Sequence, residues 1–141
     1  MALTGVIYNK FPEIAAQFPV QLHKVVVQTV EITNELASDN APKETTFMAS
    51  NIYHVTSDGS TYGQGIAPPT DDVYLLPEGP AVSDPYTGYT ACAANYSAPV
   101  NYGHHTRSGS WVPAQPFWEP ALDEGRSRFD AALAVFWSFL K

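Results

Sequence analysis

The sequence predicts an α+β fold in which a small antiparallel sheet packs with a long N-terminal helix and a C-terminal helix. Two stretches of 3-4 apolar spacing, one near each end of the chain, bracket a middle of short β-rich runs separated by turn formers. The 141 residues fit a single domain, 1–141, with a long Pro/Gly-rich loop or arm at about 61–88. No repeat of solenoid length is present.

Residues 1–10 carry no strong period and read as an extended lead-in. Phe11-Pro12-Glu13 opens a helical pattern, with proline and an acid in the first turn, where both are favourable. Pro19 interrupts it. Either a short helix ends near Phe18 and a second begins at Pro19, or one helix bends there. From Pro19 to Ser38 the positions Leu22, Val25, Val26, Val30, Thr33 and Leu36 recur at helical spacing, which predicts a helix of ~20 residues, about 30 Å long. Ser38-Asp39-Asn40-Ala41-Pro42 ends it with turn formers.

Lys43 to Ser50 has no readable period and is expected to be a loop. Ile52 and Val55 mark a strand, closed by the turn signal Ser57-Asp58-Gly59-Ser60. The 61–88 segment is dense in proline and glycine, and its apolar piece Val73-Tyr74-Leu75-Leu76 could pair as a strand. A loop of this length is uncommon inside a compact domain, and we read it as an arm able to dock on a neighbouring subunit.

Tyr89 to Tyr96 reads as a strand by its Tyr and Thr content. Asn95 to Pro99 turns the chain, and Val100-Asn101-Tyr102 reads as a second short strand ending at Gly103. A polar loop then leads to Pro113-Ala-Gln-Pro116-Phe117-Trp118-Glu119-Pro120, where three prolines in eight residues fix three φ angles. This stiff strap aims two large aromatics. Phe117 is expected in the core, anchoring the last helix, and Trp118 nearer a subunit contact. The helix starts at Glu119-Pro120 and carries Leu122, Phe129, Leu133, Phe136, Trp137 and Leu140 on one stripe, with Arg126 and Arg128 on its solvated face. Gly125 is a weak point in it, by ~1 kcal/mol against Ala.

Charged residues make up 15% of the chain, against a usual ~25%, alongside eight Tyr, seven Phe and three Trp. That balance suits an assembly subunit, since interface cores are enriched in aromatics and depleted in charge. Net charge is −7, without a basic run, which argues against tight nucleic-acid binding. The lone Cys92 has no internal disulfide partner, which points to a reducing cytoplasm. No signal peptide is visible after Met1, and no window reaches the ~18–20 apolar residues of a membrane span.

Catalytic chemistry has little to build on. His104 and His105 are adjacent on an extended run and point to opposite sides, and His23, His54 and Cys92 show no CxxC, HxxxH or HExxH spacing. Cys92 lies in a run of small residues and reads as buried and inert. Ser108-Gly109-Ser110 lacks the strand-to-helix setting of a hydrolase elbow, and Gly59, Gly63 and Gly65 precede prolines instead of a helix. The expectation is a protein that is not an enzyme, with no cofactor and no catalytic, cofactor-binding or metal-binding residues. A small-ligand or metal-binding domain is the less favoured alternative.

Four stretches stand in an order that resembles a known family. Ala41-Pro42-Lys43-Glu44-Thr45-Thr46 follows the first helix, and Ser50-Asn51-Ile52-Tyr53 opens the first strand. Further on come Tyr96-Ser97-Ala98-Pro99-Val100-Asn101-Tyr102-Gly103 and Pro113-Ala114-Gln115-Pro116-Phe117-Trp118-Glu119-Pro120-Ala121-Leu122. Together they resemble the tail-completion, or head–tail joining, neck proteins of long-tailed phages, such as those of the lambdoid phages. Thr46 and Asn101 stand where that family has a glycine and an acid. The resemblance covers most of the chain outside 61–88. It implies a structural virion protein that assembles in the host cytoplasm and forms a homo-oligomeric ring in the neck. Its implied partners are other copies of itself and other neck and tail proteins, with DNA passing through without specific binding. The alternative in the same class is a tail-terminator ring. Subunit-contact candidates are Tyr102, Trp111, Trp118, Tyr74 and Leu75; Pro113, Pro116, Phe117 and Pro120 form the helix-anchoring strap.

Overall fold

A computed structural model describes residues 11–43 and 46–139; the lead-in expected at 1–10 and the stripe position Leu140 lie outside these. The fold is α+β. Its helices are α1 (Phe11–Asn40), α2 (Thr46–Ser50), α3 (Ser97–Tyr102) and α4 (Trp118–Phe139), and its strands are β1 (Ile52–Thr56), β2 (Gly59–Ser60), β3 (Gly88–Cys92), β4 (His104–His105) and β5 (Trp111–Val112).

At Pro19 the first of the two alternatives fails: α1 is one helix of 30 residues with Pro19 inside it. A proline lacks one N–H and so removes one backbone hydrogen bond there. Packing against α4 spans the gap, because Phe18, just before the proline, meets Phe136 edge-to-face at 5.2 Å. The two long helices run antiparallel. Phe18 near the start of α1 meets the end of α4, Thr33 meets Gly125 in the middle, and Ala37 and Ala41 share a cluster with Ala121.

β1 is central in a three-stranded antiparallel sheet of order β2-β1-β3, with Ile52 opposite Cys92 and Thr56 opposite Gly88. The side chains alternate, so the two faces bury different sets. Ile52 joins Ala37, Phe47, Met48, Ala94 and Phe117 beneath α1 and α4, while Tyr53 and Val55 join Ala93 on the other face. The Pro/Gly-rich segment covers that second face, contributing Tyr62, Leu75 and Val82.

Four local expectations are corrected. The 43–50 loop contains the helical turn α2, whose Phe47, Met48 and Ala49 are all buried; a helix of five residues is too short to show a period. Val100-Asn101-Tyr102 belongs to helix α3, not a strand, and Pro99 sits in its first turn, where its missing N–H is harmless. The polar stretch after Gly103 contains a small ribbon, β4 paired with β5. The strand expected over 89–96 ends at Cys92, after which Ala94 forms an isolated bridge with Leu75.

Candidate functional site

Asn101 organises the C-terminal half of the chain. Its side chain is 2% exposed, and its Oδ1 accepts from the Phe117 and Trp118 N–H groups at 3.0 and 3.2 Å. These lie at the start of α4, where helical N–H groups lack partners within the helix. Asn101 Nδ2 donates to Glu119 Oε1 at 3.2 Å, and Gln115 N donates to the Val100 carbonyl at 2.9 Å. The strap is thus tied to α3 at both ends of Pro116. Phe117 is fully buried and touches the cluster that also holds Phe47 and Ala121.

Gly103 ends α3 with φ +82°, and the Trp111 ring lies so close that a Cβ there would meet Trp111 carbons at 2.7–2.9 Å. Trp111 leans edge-on against His105 at 5.0 Å. Tyr102 and Trp111 therefore flank Gly103 as an aromatic corner, 66% and 56% exposed.

The other contact candidates separate. Tyr74 is exposed. Leu75 is half-buried and packs against both hydrophobic clusters of its own chain. Trp118 is half-buried, tilted against Phe117 at 5.3 Å. Of the strap residues, Pro113, Pro116 and Pro120 face solvent while Phe117 points inward. A second surface is a groove of about 430 Å³ between α1 and α4, lined by Val25, Ala132, Val135 and Phe136 together with Gln21, Lys24 and Gln28, with Trp137 exposed nearby.

The 61–88 segment, expected as an arm toward a neighbour, is fastened over its own sheet by side-chain hydrogen bonds. Tyr53 Oη accepts from Gly79 N at 3.0 Å, and Tyr62 Oη and Tyr89 Oη donate to the Leu76 and Pro80 carbonyls at 2.6 Å each. Asn51 Nδ2 donates to the Ile66 carbonyl, and Asn95 both accepts from Tyr74 N and donates to the Asp72 carbonyl. Side chains here supply partners that a regular ladder would otherwise provide. In the sequence Asn95 shows only as a turn former, and Asn51 and Asn101 give no signal of the hydrogen bonds their side chains make.

Burial pushes the Cys92 thiol above its ordinary value, and its sulfur lies 3.8 Å from the Met48 carbonyl oxygen. His104 Nδ1 lies 3.1 Å from the Pro99 carbonyl oxygen and His105 Nδ1 3.3 Å from that of Gly109. Among the described residues no group of three or more His, Cys, Asp or Glu could hold a metal ion, and no helix is long and apolar enough to cross a membrane. Compared with protein-family models, curated proteins and solved structures, the chain matches none.

Proposed function

We propose that this chain is a structural protein of a tailed-phage virion, forming a ring in the neck that joins head to tail. One observation carries the reading. The four stretches that resemble the tail-completion family, spread from Ala41 to Leu122, converge on one unit. Ala41, Ile52, Phe117 and Ala121 share a single cluster with Tyr96 and Val100 packed against it, and Asn101 of the third stretch binds the backbone of the fourth. Motifs that build one packed unit are a sounder basis for a family reading than motifs scattered over a surface.

In this reading the unit is a rigid wedge, with the exposed Tyr102–Trp111 corner and Tyr74 as contact points between copies. Rings close when one patch meets a different patch of the next copy by a fixed rotation. The proposed role needs no catalysis, cofactor or metal; the chain's acidic balance suits a conduit that DNA passes without sticking.

A cryo-electron reconstruction of the virion that carries this chain tests the proposal. Ring density for the chain between head and tail is the expected result. Density only in the capsid, a fibre or the baseplate would overturn it. Rings capping isolated tails that never met a head would favour the tail-terminator reading instead.

A further inference from the structure

Three segments distant in sequence meet at His23. Its Nδ1 lies 2.5 Å from the Pro85 carbonyl oxygen, and its Nε2 lies 3.0 and 3.1 Å from the two carboxylate oxygens of Asp58. Pro85 stands near the end of the 61–88 segment and Asp58 in the turn between β1 and β2. One imidazole on α1 therefore bridges both.

Both partners are acceptors. A peptide carbonyl carries no proton, and a carboxylate takes hydrogen bonds without giving them. Neutral imidazole has a single N–H and satisfies one of the two, leaving its other nitrogen lone pair against an oxygen lone pair. Only the imidazolium donates from both nitrogens. We propose that His23 is a pH-set clasp: as the imidazolium it holds the 84–87 and 57–58 turns to α1, and on deprotonation it lets the 84–87 turn go. The carboxylate is the stronger acceptor, so the remaining proton stays on Nε2 toward Asp58 and the Pro85 contact is lost.

The groups around the clasp favour this sign. The first turn brings Asp58, and the 84–87 turn brings Asp84 and Tyr86; Asp84 is engaged within its own turn, bonding Tyr86 N and Thr87 Oγ1. β1 brings His54 and α1 brings Glu31, which share a cavity with Asp58. Lys24, next to His23, lines the α1–α4 groove instead. The Pro85 carbonyl above all raises the His23 pKa; burial opposes it, and Asp58 adds to the rise through its hydrogen bond and its charge. A raised folded-state value means the clasp is fully made below the ordinary value of about 6.5 and is lost as pH rises through the higher one. Loosening should stop at β3, because Gly88 pairs with Thr56 and lies against Val30.

A titration of the full ¹⁵N-labelled chain by NMR between pH 5 and 9 tests the clasp. The expected result is a His23 ring with both nitrogens protonated at low pH, a midpoint above about 6.5, and Tyr86 and Thr87 amides that shift with that same midpoint while the Ala94 amide does not. In His23→Gln those amide shifts become flat with pH. A His23 midpoint at or below about 6.5, or Tyr86 and Thr87 amides unchanged through it, would overturn the proposal; the wild-type titration decides this even where the variant folds poorly.

Discussion

Gly125 of α4 sits directly against Thr33 of α1: a Cβ at position 125 would lie 2.2 Å from the Thr33 hydroxyl oxygen. That hydroxyl is buried and donates to the Thr29 carbonyl at 2.8 Å, so it has little room to swing aside. The glycine lets two long helices approach closely, and its intrinsic helix penalty is outweighed by that contact.

Replacing Gly125 by Ala therefore runs against propensity. In an open helix the change gains up to ~1 kcal/mol; here it should destabilise by about 1–3 kcal/mol, the usual penalty of overpacking. Urea unfolding measures this. Adding Thr33→Ala should recover much of the loss, a non-additivity expected of touching residues. A stabilised single variant would show that the helices separate more readily than the contact implies.

Removing the Asn101 side chain leaves the Phe117 and Trp118 N–H groups at the start of α4 without their acceptor. Asn101→Ala should lower stability by about 1–3 kcal/mol, the penalty for stranding buried polar groups. Phe117→Ala should lower it more, by about 3–5 kcal/mol, because it empties a fully buried ring site. Equilibrium denaturation of both variants checks the order; a milder Phe117→Ala would mean the strap does not anchor the helix.

The long elements were legible in the sequence, while the contacts that fix them were not. The 3-4 spacing of α1 and α4 runs for many turns, so helix and fold class follow from pattern alone. α3 has six residues and a Tyr and Val content that favours strands, so composition pointed the wrong way. Gly125 read as a weakness because propensity is a property of one residue, whereas its role depends on Thr33, 92 positions away. Similarly, the high tyrosine content suits an assembly surface as a class, yet the hydroxyls of Tyr53, Tyr62 and Tyr89 hold the chain's own 61–88 segment.

Alkaline conditions should weaken the fold through two groups. Burial pushes the Cys92 thiol up, and desolvation, then Tyr53 and Glu78, push Tyr89 up. Both are neutral acids in the native chain, so the unfolded chain ionises first as pH rises. Their contribution is intact below the ordinary thiol value of about 8.5 and is lost progressively above it, with tyrosine following near 10. Urea midpoints from pH 7.5 to 10.5 should fall over this range, and less steeply in Cys92→Ala. Native Cys92 should also react with a thiol reagent at least tenfold more slowly than in the urea-unfolded chain; equal rates would mean the thiol is open.

The aromatic corner distinguishes assembly from folding. Tyr102 and Trp111 are more than half exposed, so cutting them to alanine removes little from the core, and each should change monomer stability by less than about 0.5 kcal/mol. Trp111 also packs over Gly103 and beside His105, so its removal should loosen the ribbon locally without unfolding α3 or α4. If the corner is the contact between copies, truncating Trp111 should weaken association by about 2 kcal/mol or more, roughly 30-fold, as interface tryptophans commonly do. Sedimentation equilibrium on wild type and variant, with a thermal melt of each, separates the two effects. Loss of association at unchanged melting temperature is the expected outcome. Unchanged association would move the subunit contact elsewhere, and the α1–α4 groove beside Trp137 would be the next surface to truncate.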